Sequence, residues 1–248
     1  MDGYGFLNIP KNSSIGKTIY KNIFYEKADL SASDKKLLMK TVDKITWIYC
    51  LQPETMNIPA YKDEERDYSE IEIIEVKVHQ DHKLERIAEI AMRAIPYPML
   101  LIFKMEEKRQ FYVAHQRTNQ SDSSKNIIEG LIATDWLDSD SDLFEKLDIR
   151  QMRFANFFML YTDIVDVISI YNVSDIILDE TSLTGAEARE LSAQIAEVDE
   201  KISILRTKLK KENQFNRKME LHIKINELKE EKENCLEEIN FEGNNVRR

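Results

Sequence analysis

The chain has 248 residues, 42% of them apolar and 32% charged, with 35 Lys and Arg against 45 Asp and Glu and a net charge of −10. That balance excludes nonspecific nucleic-acid binding over the whole surface, and two distant cysteines, Cys50 and Cys235, imply neither a disulfide framework nor a zinc site. No run reaches the ~18 apolar residues of a membrane span and no leader pattern opens the chain, so a cytoplasmic location is expected.

Residues 1–30 read as a polar arm with a short apolar element lying on the core. Gly16-Lys17-Thr18 mimics the end of a phosphate-binding loop, and residues 176–180 its acidic strand. Lys11, however, stands where that loop needs a glycine. Ser31 and Asp34 have the spacing of a capping box. Leu38, Val42, Ile45 and Tyr49 follow at helical spacing, which predicts one helix running up to Pro53. Residues 61–70 form a charged connector.

The next stretch is the place where a sheet can nucleate. Residues 71–78 read as a strand that is apolar on both parities, and 83–95 as a helix with Leu84, Ile87, Ala91 and Ala94 inward, stopped by Pro96-Tyr97-Pro98. Residues 99–103 and 111–114 read as strands joined across a charged turn, 119–126 as a loop, and 127–134 as a further strand. Asp138, Asp140 and Asp142 mimic the opening of a calcium loop but lack its glycine and its twelfth-position acid. Together with Asp135, Glu145 and Asp148 they suit the positive end of a long core helix over residues 147–171.

After Gly185 the pattern changes to alternating spacings of three and four. Leu191, Ile195, Val198, Ile202, Leu205 and Leu209 form one seam; Leu221, Ile225, Leu228, Cys235 and Ile239 form a second, broken by Lys232. The two are out of phase, which predicts an antiparallel coiled-coil hairpin turning near residues 213–216, with one long helix as the alternative. Residues 184–248 hold 13 basic and 14 acidic side chains against 22 and 31 before them, so the acidity belongs to the globular part. The fold class expected is therefore α+β: a small mixed sheet (strand-helix-strand-strand-strand) packed with helices over residues 1–183, a helical arm over 184–242 and a disordered tail over 243–248.

One stretch carries candidate enzymatic chemistry. Glu75-x-Lys77 on a strand, followed by a helix and another strand, matches the second half of a metal-dependent nuclease core, in which carboxylates hold a divalent cation and a lysine orients the attacking water. The first acid would come from Asp63 or Asp67 on a preceding strand, giving the set Asp67, Glu75 and Lys77, but residues 51–70 show no such strand. An exposed strand face of alternating charge gives the same triplet. The four histidines complete no metal set, no serine or cysteine nucleophile has a local signature, and no cofactor or resident metal is expected. Lys208, Lys210, Lys211, Arg217 and Lys218 flank the predicted hairpin tip as a weak nucleic-acid contact or, more simply, a solvated helix end.

Ala94-Ile95-Pro96-Tyr97-Pro98-Met99-Leu100-Leu101-Ile102-Phe103 and the later Thr134-Asp135-Trp136-Leu137 together resemble the bacterial family called domain of unknown function 4391. Trp47-x-Tyr49-x-Leu51-x-Pro53-x-Thr55 and Lys211-Glu212-x-Gln214-Phe215-Asn216 are similar to it as well. The resemblance implies an accessory setting beside helicases and DNA methyltransferases in restriction-like or phage-defence clusters, and carries over no catalytic residue. The expected function is thus a non-catalytic scaffolding subunit. It would bind a helicase- or methyltransferase-type partner, or a second copy of itself, through Leu191, Ile195, Val198, Ile202, Leu205, Leu209, Leu221, Ile225 and Leu228. The alternative is the metal-dependent DNA nuclease.

Overall fold

The computed structural model describes residues 3–119, 122–174 and 183–245. Its chain contacts divide into two compact units, Met1–Ile168 and Ser169–Arg248.

The first unit is built on a six-stranded mixed sheet formed by β1 (Ser14–Ile19), β2 (Val42–Leu51), β5 (Ile71–Val78), β6 (Met99–Met105), β7 (Lys108–Asn119) and β8 (Asp122–Ala133), in that spatial order. A separate two-residue ladder joins β3 (Tyr61–Lys62) to β4 (Asp67–Tyr68). Among the described residues β5 and β6 pair in parallel, and the other pairings are antiparallel. A parallel pair requires a crossover, and α4 (Leu84–Ala94) supplies it.

One face of the sheet carries Ile74, Val76 and Val78 of β5, Leu101 and Phe103 of β6, and Tyr112 and Ala114 of β7. These pack with Leu84, Ile87, Ala88 and Ala91 of α4 and with Phe24 and Leu38. Phe24 lies on α1 (Lys21–Lys27), and Leu38 on α2 (Ala32–Thr41). The alanines of α4 let its backbone sit close to the sheet, as their spacing suggests. Ile71 and Ile73 are equally buried on the other face, so β5 is buried on both sides along its first half. Phe6, Phe111 and Phe144 stack edge to face there, with Phe6 4.8 Å from Phe144. Phe144 belongs to the one-turn helix α5 (Leu143–Lys146).

The long apolar helix is α6 (Phe157–Ser174). It is long and apolar enough to cross a membrane, but Phe157, Leu160, Tyr161, Ile164, Val165 and Ile168 are buried within the protein, as in a core helix. Tyr161 is fully buried, and its hydroxyl lies 2.8 Å from the Met99 carbonyl and 3.0 Å from that of Ala114, while accepting the Ala114 N–H. It thereby ties α6 to the backbones of β6 and β7.

Several expectations are corrected. The helix after Ser31 stops at Thr41, and Val42–Leu51 is a strand. Leu38, Val42, Ile45 and Tyr49 have helical spacing, but Val42, Ile45, Thr46, Trp47, Ile48 and Tyr49 form a β-branched and aromatic run, and pairing with β1 and β5 decides in its favour. Pro53 opens the short helix α3 (Pro53–Met56) instead of closing a long one. The Gly16-Lys17-Thr18 triplet sits inside β1, so it cannot cradle a phosphate at a helix start; residues 176–180 lie outside the described residues. Residues 122–126, expected in a loop, belong to β8. Residues 147–156 are not helical in the α sense, and α6 begins at Phe157.

In the second unit, Val173, Ala188 and Leu191 pack together with Leu183 and Ile195 against them. Helices α7 (Gly185–Lys211) and α8 (Phe215–Asn245) are separated by a break at residues 212–214, close to the expected turn. Val198, Ile202 and Ile225 are buried between them, flanked by Leu205, Leu209 and Leu228, and Lys232 reaches Asp199 at 2.8 Å. Thr184 caps α7 in a reciprocal box with Glu187.

Two stability predictions follow from these contacts. Tyr161→Phe should lower the unfolding free energy by about 1–3 kcal/mol in chemical denaturation, because it strands buried backbone groups while changing little volume. Asp34 accepts from the Ser31 backbone and from Arg86 at 2.9 and 3.0 Å, and Arg86 first, then Ser31, holds its carboxyl well below the usual range. A carboxyl with a depressed folded pKa contributes stability that is full above its unfolded value, about 3.9, and fades as pH falls. The gap in urea midpoint between the native chain and Asp34→Asn should therefore be widest near neutrality and narrow on acidification below about pH 4.

Candidate functional site

Side chains on neighbouring strands share a face wherever register is kept. Between β2 and β5, Thr46 pairs with Glu75 and Lys44 with Lys77; the register then shifts before Val42 pairs with Val78. The shift leaves Asp43 as the unmatched residue of a bulge, free to turn its carboxylate sideways. It turns to Lys77: Asp43 Oδ2 lies 3.1 Å from Lys77 Nζ, and Oδ1 lies 3.9 Å from His79 Nε2. Lys77 is the main cause holding the Asp43 carboxyl below its ordinary range, with smaller contributions from His79 and Lys21.

Glu75 stands two residues before Lys77 on the same face and accepts a hydrogen bond from the Tyr4 hydroxyl. Burial, then Glu75, pushes the Tyr4 phenol far above its usual value, so it stays a donor. The Arg109 guanidinium lies 5.6 Å from the ring centres of both Tyr4 and Phe144. Its Nε is buried and has no partner among the described residues.

The same register continues across the sheet. Lys77 pairs with Lys104 of β6, and Lys104 with Arg109 of β7. A single rung over four strands thus carries Lys44, Lys77, Lys104 and Arg109 on the face that carries Glu75. Among the described residues, Lys77 is the member of this rung with an ion-pair partner. In a chain of net charge −10, four cations at one level of the sheet make a local field opposite to the global one.

Asp43 and Glu75 offer carboxylate oxygens from adjacent strands; Lys77 pairs with Asp43, and Glu75 is bonded to Tyr4. Such hard donors fit magnesium or manganese, which are commonly held by one or two carboxylates together with the phosphates of a substrate.

A family model described as "Domain of unknown function (DUF4391)" matches residues 7–231. The chain belongs to this family. No curated protein and no solved structure matches it. The family description assigns no activity.

The other residues singled out from the sequence have different surroundings. Asp67 sits on β4, 2.6 Å from Lys62 and bonded to Ser69, and Asp63 closes the turn beside it through the backbone N–H groups of Glu65 and Arg66. Neither makes a contact with Glu75 or Lys77 among the described residues. Leu191 and Ile195 pack beside Val173, whereas Val198, Ile202, Leu205, Leu209, Ile225 and Leu228 fill the space between α7 and α8. Leu221 is half-buried, and the side chains of Cys235 and Ile239 lie outside the described residues. Lys208, Lys210, Lys211, Arg217 and Lys218 are exposed on either side of the break between the two helices. Asp43 was missed because Val42–Leu51 was assigned to a helix; the β-branched run that follows it was the available signal.

Proposed function

We propose that this protein is a divalent-cation-dependent nuclease whose centre comprises Asp43, Glu75 and Lys77. The observation that carries the reading is the meeting of Asp43 on β2 with Lys77 of the Glu75-x-Lys77 strand. The first carboxylate, expected from Asp63 or Asp67, comes in this reading from Asp43 on β2, the strand that pairs with β5. A bound divalent cation would polarise the scissile phosphodiester and activate water. Asp43 and Glu75 supply oxygens to hold it. Lys77, held by Asp43, orients the attacking water or the phosphate oxygen, and Tyr4 fixes the Glu75 carboxylate. The rung Lys44, Lys104 and Arg109 then meets backbone phosphates, which favours DNA, and gives binding a steep dependence on salt.

Supercoiled and linear DNA incubated with the full chain and magnesium or manganese should be nicked or cut. Lys77→Ala, Asp43→Asn and Glu75→Gln should each reduce the rate by about a hundredfold or more, while Asp67→Asn should cut as the native chain does. Activity unchanged in Asp43→Asn would remove the proposal.

A second reading rests on the arm. Ile204, Met219 and Ile223 are each about half exposed, and Ile204 and Ile223 lie two residues from the buried contact of Ile202 with Ile225. In this reading α7 and α8 form a coiled-coil docking element of a cytoplasmic restriction-like or phage-defence assembly, with a helicase- or methyltransferase-type subunit as partner. Ile204→Asp combined with Ile223→Asp should then abolish co-purification with the products of neighbouring genes and leave the helical content unchanged by circular dichroism. Retention of every partner would remove the docking role.

A further inference from the structure

At the opposite end of β2 and β5 a second group of side chains meets on the other face of the sheet. Cys50 pairs in register with Glu72, and Glu70 precedes Glu72 by two residues. Cys50 and Glu72 are 3% and 2% exposed, which puts a thiol and a carboxyl in the protein interior. Cys50 Sγ lies 3.5 Å from Glu70 Oε2 and 3.7 Å from Glu72 Oε1, and the potential ligand atoms of all three lie within 4.8 Å of one another.

These separations have a geometric meaning. With zinc–sulfur near 2.3 Å and zinc–oxygen near 2.0–2.2 Å, the edge between a sulfur and an oxygen of a tetrahedral site is about 3.5–3.6 Å. The two sulfur–oxygen separations therefore lie close to the edges of such a site, and the third separation is within 4.8 Å. The outer contacts are also in place: the Trp47 indole N–H donates to Glu72 Oε2, the oxygen turned away from Cys50, and the Gln52 amide donates to Glu70 Oε2 at 2.7 Å. Donors of this kind orient ligands and are a regular part of metal sites.

Charge argues the same way. Among the described residues neither Glu70 nor Glu72 has an ion-pair partner, so two carboxylates lie side by side without a cationic side chain. Glu72 and Cys50 are both buried. A divalent ion would supply the positive charge that this pair of carboxylates lacks.

We infer that Cys50, Glu70 and Glu72 form a zinc site that clamps the end of β2 to the start of β5, with a water completing the tetrahedron. A thiolate among the ligands selects zinc over magnesium, which separates this site chemically from the oxygen donors of Asp43 and Glu75. Binding would release the Cys50 proton and any proton held on Glu72. The inference stands apart from the nuclease reading, since it concerns other residues on the other face.

The test uses the full chain freed of metal by a chelator and titrated with cobalt(II), then zinc. One equivalent of cobalt should produce a thiolate-to-cobalt charge-transfer band in the near ultraviolet and strong visible bands of a tetrahedral ion, and zinc should bleach both. Cys50→Ser should lose the charge-transfer band, and Glu72→Gln should weaken zinc binding at least tenfold by competition with a chromophoric chelator. Glu75→Gln should leave the spectrum unchanged, so a failed nuclease centre does not touch this result. Native chain that binds no stoichiometric cobalt, or a charge-transfer band that survives in Cys50→Ser, overturns the site. If Cys50→Ser fails to fold, the native spectrum and Glu72→Gln still decide.

Discussion

The parallel ladder between β5 and β6 is the constraint on which the first unit depends. Strands paired in parallel cannot be joined by a tight turn, so the chain must leave the sheet, cross one face as α4 and return. That crossover covers one face of β5, where Ile74 and Val76 pack with α4, and Ile71 and Ile73 are buried on the other face. With β5 fixed at an interior position, antiparallel β2 is placed on one side of it and β6 on the other; β7 and β8 extend the sheet beyond β6 as hairpins, and β1 pairs with β2 at the other edge.

Both candidate sites are consequences of that one strand. Side chains alternate sides along a strand with a period of two, so Glu72 faces α4 while Glu75 and Lys77 face the opposite way. Each site is completed by β2, by Cys50 near its end and by Asp43 at its start. The difference in environment decides the chemistry. Glu72 is buried beside a thiol and a second carboxylate, and its acidity falls; Asp43 is exposed beside an ammonium, and its acidity rises. Two carboxylates on one pair of strands thus lie in opposite electrostatic surroundings.

The charge distribution also shows how little a net value says about a local surface. The globular part carries most of the excess acid, yet strand register collects Lys44, Lys77, Lys104 and Arg109 into one rung. On the arm the opposite happens: the heptad seam that looked available for a partner is largely occupied by the contact of α7 with α8, and the apolar side chains left exposed, Ile204, Met219 and Ile223, lie off that seam.

The sequence by itself determined the α+β class, the strand over residues 71–78, the amphipathic α4, the strands after the Ile95-Pro96-Tyr97-Pro98 turn and the two C-terminal helices. In each of these, local periodicity and the final burial agree, so a pattern of spacing is enough. It also determined the family, through short segments whose order along the chain survives folding. Only the tertiary structure decided that Val42–Leu51 is a strand. Its apolar positions satisfy helical spacing, and what tips the balance is the ladder of hydrogen bonds available from β1 and β5, partners far off in sequence. The same is true of both sites. Asp43 is 34 residues from Lys77, and Cys50 is 22 from Glu72; neither separation has a local signature. A bulge and a register, which exist only once strands pair, bring them together.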